Sequence, residues 1–352
     1  MSNHSSFEVP SFPHLDLLPE ALLPWYREHA RDLPWRADRD PYHVWISEIM
    51  LQQTRAEAVR GYYYRFLSEF PSISALAGAE ETRLLKLWEG LGYYNRVRNL
   101  HKAAKLILVD YGGVFPRQYE QVRTLPGIGD YTAGAICSIC FEMPIAAVDG
   151  NVLRCISRIG EIDRPMDAPP MKRAVAAALC AIYPPGQCGD FTQSLMELGA
   201  TVCLAGAKPR CESCPAKGFC GAHASGRQAM FPKLSPKRRR KVENRTVFLL
   251  EWEGKLALCR RPSTGLLAGL WQFPNVLGSL SAQEALAQAF AWGLSPIAPE
   301  QALCRSHVFT HLEWRMTAYR IRCGQPSSAF IWAAPLELRQ IYALPTAFRQ
   351  FL

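Results

Sequence analysis

Long apolar runs are absent from this sequence. AVAAALCAIY, at 174–183, is far short of the roughly 20 residues that a membrane-spanning helix needs. The opening MSNHSSFEVPSFPHLDL has no basic segment leading into an apolar core, so no secretory leader is read there. Acid is scarce: 31 Asp and Glu face 40 Lys and Arg, leaving a net charge of +9. That balance favours a polyanionic partner, although a basic solvated surface gives the same number. Strand-like alternation is rare before residue 200, and no internal repeat is present. Without a leader, the twelve cysteines argue against a disulfide framework and for a reducing compartment. Four of them fall within 203–220, which points to a metal.

What is present suggests two domains, with three as the upper bound for 352 residues. With 49% apolar and 20% charged residues, the chain is of the soluble globular class. From about 15 to 225 the pattern is all-α. Asp40-Pro41 reads as an N-cap followed by proline at the first helical position, opening YHVWISEIMLQQ. Helical runs follow near 57–69, 80–90, 95–110, 117–124, 130–141, 151–160, 170–182 and 190–201. Residues 226–244 read as a basic linker by composition. Its KRRRK (237–241) suits a nuclear address, a solvated charge run or a contact with DNA backbone. From 245 to 352 the texture is α+β. TVFLLEWEGKLALCRR predicts a hairpin turning at Glu253-Gly254, 281–293 a helix, and 307–322 a second strand pair.

Three stretches carry chemistry. In LPGIGDYTAG (125–134), Gly127 and Gly129 permit backbone conformations closed to other residues and leave peptide N–H groups uncovered. Ahead of a helix starting near Asp130, they form either a neutral phosphate grip or a tight turn between packed helices. Next, AAVDGNVLRCISRIG (146–160) places Asp149 just before a helix, where backbone N–H groups and the helix dipole favour the anion. Third, Glu48 lies among Val44, Trp45, Ile49 and Leu51, where poor solvation raises a carboxyl pKa. One neutral and one ionised carboxyl is the division of labour that breaks a glycosidic bond.

Read together, SEIMLQQT, LWEGLGYYNR, LPGIGDYTAG, VDGNV and the cysteine cluster resemble, in this order, the MutY-type adenine DNA glycosylases of the helix–hairpin–helix superfamily. The resemblance runs from about Pro24 through the carboxy-terminal module. It implies a six-helix module with a helix–hairpin–helix, a cluster module, and a carboxy-terminal nudix-like domain. The implied reaction is removal of adenine mispaired with 8-oxoguanine or guanine in double-stranded DNA, by a monomer that flips the nucleotide out of the duplex. Glu48 matches the general acid protonating adenine N7. Asp149 matches the carboxylate stabilising the oxocarbenium ion, through a transient covalent bond to the sugar, and Asn151 the residue orienting groups around it. Arg36, Trp35 and Gln193 match the adenine pocket. Gln53, Thr54, Leu91 and Tyr93 match residues at the opened duplex; Leu91 and Tyr93 also pass as ordinary core. Where endonuclease III-like relatives carry the lysine that forms a Schiff base and cuts the strand, this chain has Tyr131. A phenol cannot form that adduct, so the match implies a monofunctional enzyme leaving an intact abasic site.

VCLAGAKPRCESCPAKGFC gives C-x7-C-x2-C-x5-C through Cys203, Cys211, Cys214 and Cys220. One close pair with two wider arms suits a 4Fe-4S cluster better than zinc. The family carries such a cluster with six residues, not seven, between the first two ligands. The extra residue is expected to bulge near Gly206, because no other cysteine lies close enough to replace Cys203. Lys208, Arg210 and Lys217 in these loops can meet phosphates. GLLAGLWQFPN (265–275) resembles the nudix-like domain that senses 8-oxoguanine. The acidic magnesium-binding run of a working nudix hydrolase is missing, with only Glu284 in its place. Phe309-Thr310-His311 stands where the family has Phe-Ser-His, implying contact with 8-oxoguanine.

Two rivals remain at this level: a bifunctional endonuclease III-like glycosylase and lyase, disfavoured by Tyr131, and a non-catalytic DNA-docking protein, disfavoured by carboxylates facing a polyanion. Bacterial cytosol is the expected location, nucleus or organelle if the source is eukaryotic.

Overall fold

The computed structural model describes residues 10–352 apart from 207, 237, 238, 298, 300 and 301; Lys237 and Arg238 of the basic run lie outside the described residues. The chain packs as two units. The first runs through Ala77 and resumes over Asn99–Pro236; the second combines Gly78–Arg98 with Lys237–Leu352.

The first unit is helical. It holds Leu18–His29 (α1), Pro41–Leu51 (α2), Ala56–Glu69 (α3) and Ile73–Ala77 (α4). Glu81–Leu87 (α5) lies in the second unit, and Asn95–Asp110 (α6) crosses the boundary. Tyr119–Thr124 (α7), Asp130–Phe141 (α8), Gly150–Ile159 (α9), Pro169–Cys180 (α10), Cys188–Glu197 (α11) and the short Gly221–Ala224 (α12) complete it. Two helices end three or more residues earlier than their periodicity predicts. The 80–90 run stops at Leu87, ahead of Gly90 and Gly92, both at positive φ. The 190–201 run is α-helical only to Glu197, then widens into a π-turn over Leu198–Val202. Leu22, Val152, Ile156, Val175, Phe191 and Leu195 join in one core, so α9 and α11 sit at its centre. Residues 228–235 hold to this unit: Arg158 Nε donates to the carbonyls of Gln228 and Phe231, and Asp167 Oδ1 accepts from the Ser235 backbone and hydroxyl.

The second unit is a mixed sheet covered on both faces. Its strands are Lys241–Trp252 (β1), Lys255–Arg260 (β2), Trp271–Gln272 (β3), Asn275–Leu277 (β4), Leu303–Val308 (β5), Leu312–Arg322 (β6) and Ile331–Ala333 (β7). The order is β3-β2-β1-β6-β5, with β4 on β1 and β7 on β2; β1 and β6 run parallel. The β1–β2 hairpin turns at Glu253-Gly254, both at positive φ, as two-residue hairpin loops require. Along β1, Val247 and Leu249 face one core and Phe248 and Leu250 the other, the period of two that buries both sides of a strand. Ala282–Ala291 (α13) covers the second face; Pro335–Gln340 (α14) and Thr346–Arg349 (α15) cover the first. Glu284 closes a capping box with Ser281, so the sole acid of that helix is engaged in its own N-terminus.

Candidate active site

Asp40 accepts from the Tyr42 N–H at 2.8 Å with Pro41 behind it, starting α2 as its sequence predicts. The helix buries Val44, Trp45, Ile46, Ile49 and Met50, and Glu48 with them, 5% exposed. Glu48 Oε2 has no hydrogen-bond partner. Burial pushes this carboxyl up to about 7; a hydrogen bond from the Tyr131 hydroxyl and the charge of Arg36 pull the other way, while Asp149 adds to the rise. Tyr131 stands in the first turn of α8. Burial, then the charges of Glu48 and Asp149, hold its phenol well above the ordinary range, so it stays a hydrogen-bond donor.

Asp149 caps α9, its Oδ1 accepting from Val152 N at 2.8 Å and its Oδ2 from Asn151 Nδ2 at 2.7 Å. Burial still raises its pKa, against those hydrogen bonds. That corrects the expectation that backbone N–H groups and the helix dipole favour the anion here: desolvation is larger than the cap. The difference between the two carboxyls lies in their donors. Asp149 has several, whereas Glu48 has Tyr131 and a bare oxygen, so Asp149 ionises more readily. Arg154 is a residue the sequence reading missed. Its guanidinium, 8% exposed, donates to Asn151 Oδ1 and to the carbonyls of Gly199 and Cys203. It thereby turns the Asn151 amide N–H toward Asp149.

Arg36 and Trp35 lie in a single 3-10 turn, Pro34–Arg36. Trp35 is buried edge-on to Tyr63, ring centres 5.6 Å apart. Arg36 Nη2 meets Glu197 Oε2 at 2.7 Å, and Arg31 Nε meets Glu197 Oε1 at 2.6 Å. Glu197 is fully buried, one helical turn after the half-buried Gln193 on α11. Four residues' spacing on an apolar helix is the only local signal that could have singled it out.

Gln53 and Thr54 follow α2; Gln53 is exposed with φ 58, a left-handed backbone uncommon outside glycine. Gly127 has φ 82, and a Cβ there would sit 2.7 Å from Asn99 Cβ, so only glycine fits. Gly129 is different from its sequence expectation: its φ of −103 and ψ of −176 are extended, a conformation open to any residue, and it serves as the N-cap of α8. In the second unit, Leu91 is buried and Tyr93 is exposed with φ 46. The Tyr93 hydroxyl lies 3.3 Å from Thr310 Oγ1. Thr310 and His311 are exposed, while Phe309 packs edge-on to Trp314.

Cys203, Cys211, Cys214 and Cys220 line one cavity. Among the described residues, no three Cys, His, Asp or Glu side chains gather closely enough to hold a single ion. Four thiols round one shared space, with no three gathered about one point, fit a multi-iron cluster better than a single zinc. Arg158, 2% exposed, donates to Cys203 Sγ at 3.4 Å and to the carbonyls of Leu204 and Gly206. The loop turns at Gly206, φ 84. A fifth cysteine, Cys155 of α9, lines the same cavity as Cys203. The expectation that no other cysteine comes near is therefore corrected, because α9 returns beneath the cluster loop from far along the chain.

Comparison with known proteins gives a consistent picture. Residues 46–179 match the HhH-GPD superfamily base excision DNA repair protein family, and 246–352 match the NUDIX domain family. The chain is 35% identical to a rat protein named adenine DNA glycosylase, over 85% of this chain and 69% of that one. It is 34% identical to a protein of the same name from Buchnera aphidicola of Baizongia pistaciae, over 73% of each. A solved structure of a trapped endonuclease III–DNA covalent intermediate covers 62% of this chain and 99% of its own, with TM-score 0.53 and 22% identity, a likeness of fold. Among the described residues, no helix is long and apolar enough to cross a membrane.

Proposed function

Because this chain belongs to the adenine DNA glycosylases of the HhH-GPD superfamily and is an enzyme of that activity, we propose that it excises adenine paired with 8-oxoguanine or guanine by acid-assisted departure and leaves the strand uncut. The observation that carries this reading is a carboxylic acid, Glu48, 5% exposed and pushed up to about 7, beside the richly hydrogen-bonded Asp149. Glu48 gives its proton to adenine N7. The bond from the sugar to the base then breaks, its electron pair leaving with adenine. Asp149 stabilises the sugar cation by charge or by a transient ester bond, with Asn151 held against it. Water adds at the same sugar carbon and gives up a proton, leaving an abasic site with both phosphodiesters intact.

Arg36, Trp35 and Gln193 form the adenine pocket in this reading. Gln53, Thr54, Leu91 and Tyr93 occupy the opened duplex, the Gly127–Gly129 turn holds a phosphate, and Phe309-Thr310-His311 reads 8-oxoguanine. Exposure of Thr310 and His311, and the Tyr93–Thr310 contact, support a joint role for wedge and reading loop. Cys203, Cys211, Cys214 and Cys220 hold a 4Fe-4S cluster, which when bound fixes the shape of the loop and takes no part in the bond-breaking. The enzyme acts as a monomer in a reducing compartment, the bacterial cytosol.

An end-labelled duplex with adenine opposite 8-oxoguanine, run with and without hot alkali, tests this. The expected result is cleavage at the adenine only after alkali. Cleavage without alkali would require a Schiff-base amine, and Tyr131 cannot supply one.

A further inference from the structure

We propose that Cys155 is a fifth thiol of the cluster pocket, placed to take over as ligand when Cys203 is lost. Three observations converge. Cys155 is fully buried on α9 and lines the cavity shared by Cys203, Cys211, Cys214 and Cys220. Cys155 and Cys203 are neighbours in that lining, on the same side of the space as the first cysteine of the cluster pattern. The arm between Cys203 and Cys211 is long for the four-ligand pattern it resembles and turns at Gly206, which leaves Cys203 the corner with the most slack.

The neighbouring groups suit a thiolate at this corner. Arg158 Nη1 stands 3.4 Å from Cys203 Sγ, and Arg154 Nε donates to the Cys203 carbonyl. Both guanidiniums are buried beside α9, so the corner is bordered by two cations. In the exchange, Cys203 would leave the iron with its electron pair and take up a proton, and the Cys155 thiol would give up its proton as its sulfur bonds that iron. No electron moves. A buried, otherwise inert cysteine usually packs as a small hydrophobe; here it borders the space that the four other cysteines line.

This inference rests on the cluster reading above, and the experiment separates the two. The full chain is purified anaerobically as wild type, Cys155→Val, Cys203→Ala, the double variant and Cys214→Ala, and iron and sulfide per chain are measured. Wild type and Cys155→Val should be fully loaded. Cys203→Ala should keep most of its iron and sulfide, whereas the double variant and Cys214→Ala should lose nearly all. Cys203→Ala as empty as the double variant overturns the inference alone. Wild type without iron overturns the cluster reading and the inference with it.

A second measurement does not depend on any variant folding. Wild type stripped of iron with excess ferricyanide, which takes one electron from each of two thiolates, should yield a Cys155–Cys203 disulfide in peptide mass spectra. Cys203 paired only with Cys211, Cys214 or Cys220 would contradict the placement.

Discussion

Glu48→Gln is expected to excise adenine about a hundred- to ten-thousand-fold more slowly than wild type, the usual worth of positioned acid catalysis, while binding mispaired duplex as before. Glutamine keeps the shape of the side chain and can still meet the Tyr131 hydroxyl, but it has no carboxylic proton to give. The site is buried against α2's own apolar neighbours, so a neutral amide replaces an acid whose neutral form that site already holds, and folding should tolerate it. Single-turnover excision and gel-shift binding on the same preparation separate the steps. Loss of rate with retained binding supports the acid. Unchanged rate would remove Glu48 from the mechanism.

Gly134→Ala is expected to lower both stability and rate. Alanine is the better helix former by about 1 kcal/mol, so propensity argues for a gain. Sterics decide otherwise. A Cβ at Gly134 would stand 2.5 Å from the Ala146 carbonyl oxygen and 3.0 Å from its carbon. These are backbone atoms of the segment that leads to Asp149, and neither can rotate away. Forced overpacking of this kind costs about 1–3 kcal/mol. Relief requires α8 to move off that segment, carrying Tyr131 away from Asp149 and Glu48, and a displacement near 1 Å can cost about a hundredfold in rate. A thermal melt and single-turnover assay check this, with Gly218→Ala, where an added Cβ meets nothing, as control. A wild-type melt and rate for Gly134→Ala would show that the helix and the segment accommodate each other.

What was legible in the sequence was what neighbouring residues settle among themselves. Asp40-Pro41, Asp149 before α9 and the Glu253-Gly254 turn all declare themselves within four residues. The pairing of Glu48 with Tyr131 and Asp149 became visible only because the motifs fell in a known order, since nothing local brings positions 48, 131 and 149 together. Glu197 and Arg154 were not legible. Each is a charged side chain in an otherwise unremarkable helix, and its meaning comes from partners far along the chain, Arg31 and Arg36 for one and Gly199 and Cys203 for the other. Cys155 was missed for the same reason. Gly129 was over-read: its place beside Gly127 suggested a shared backbone need, yet only Gly127 has it. In the second unit, the hairpins were readable, but the parallel pairing of β1 with β6 joins segments some seventy residues apart and leaves no local trace.

The central claim is that a buried, protonated Glu48 delivers the proton that releases adenine. The measurement that tests it most directly is the single-turnover excision rate as a function of pH on a duplex with adenine opposite 8-oxoguanine. Because burial sets this carboxyl at about 7, the acid form prevails below that value and disappears above it. The rate should be level on the acidic side of neutrality and then fall about tenfold for each further unit, with no such limb in the residual activity of Glu48→Gln. A wild-type rate that holds level or climbs well into the alkaline range would contradict the account.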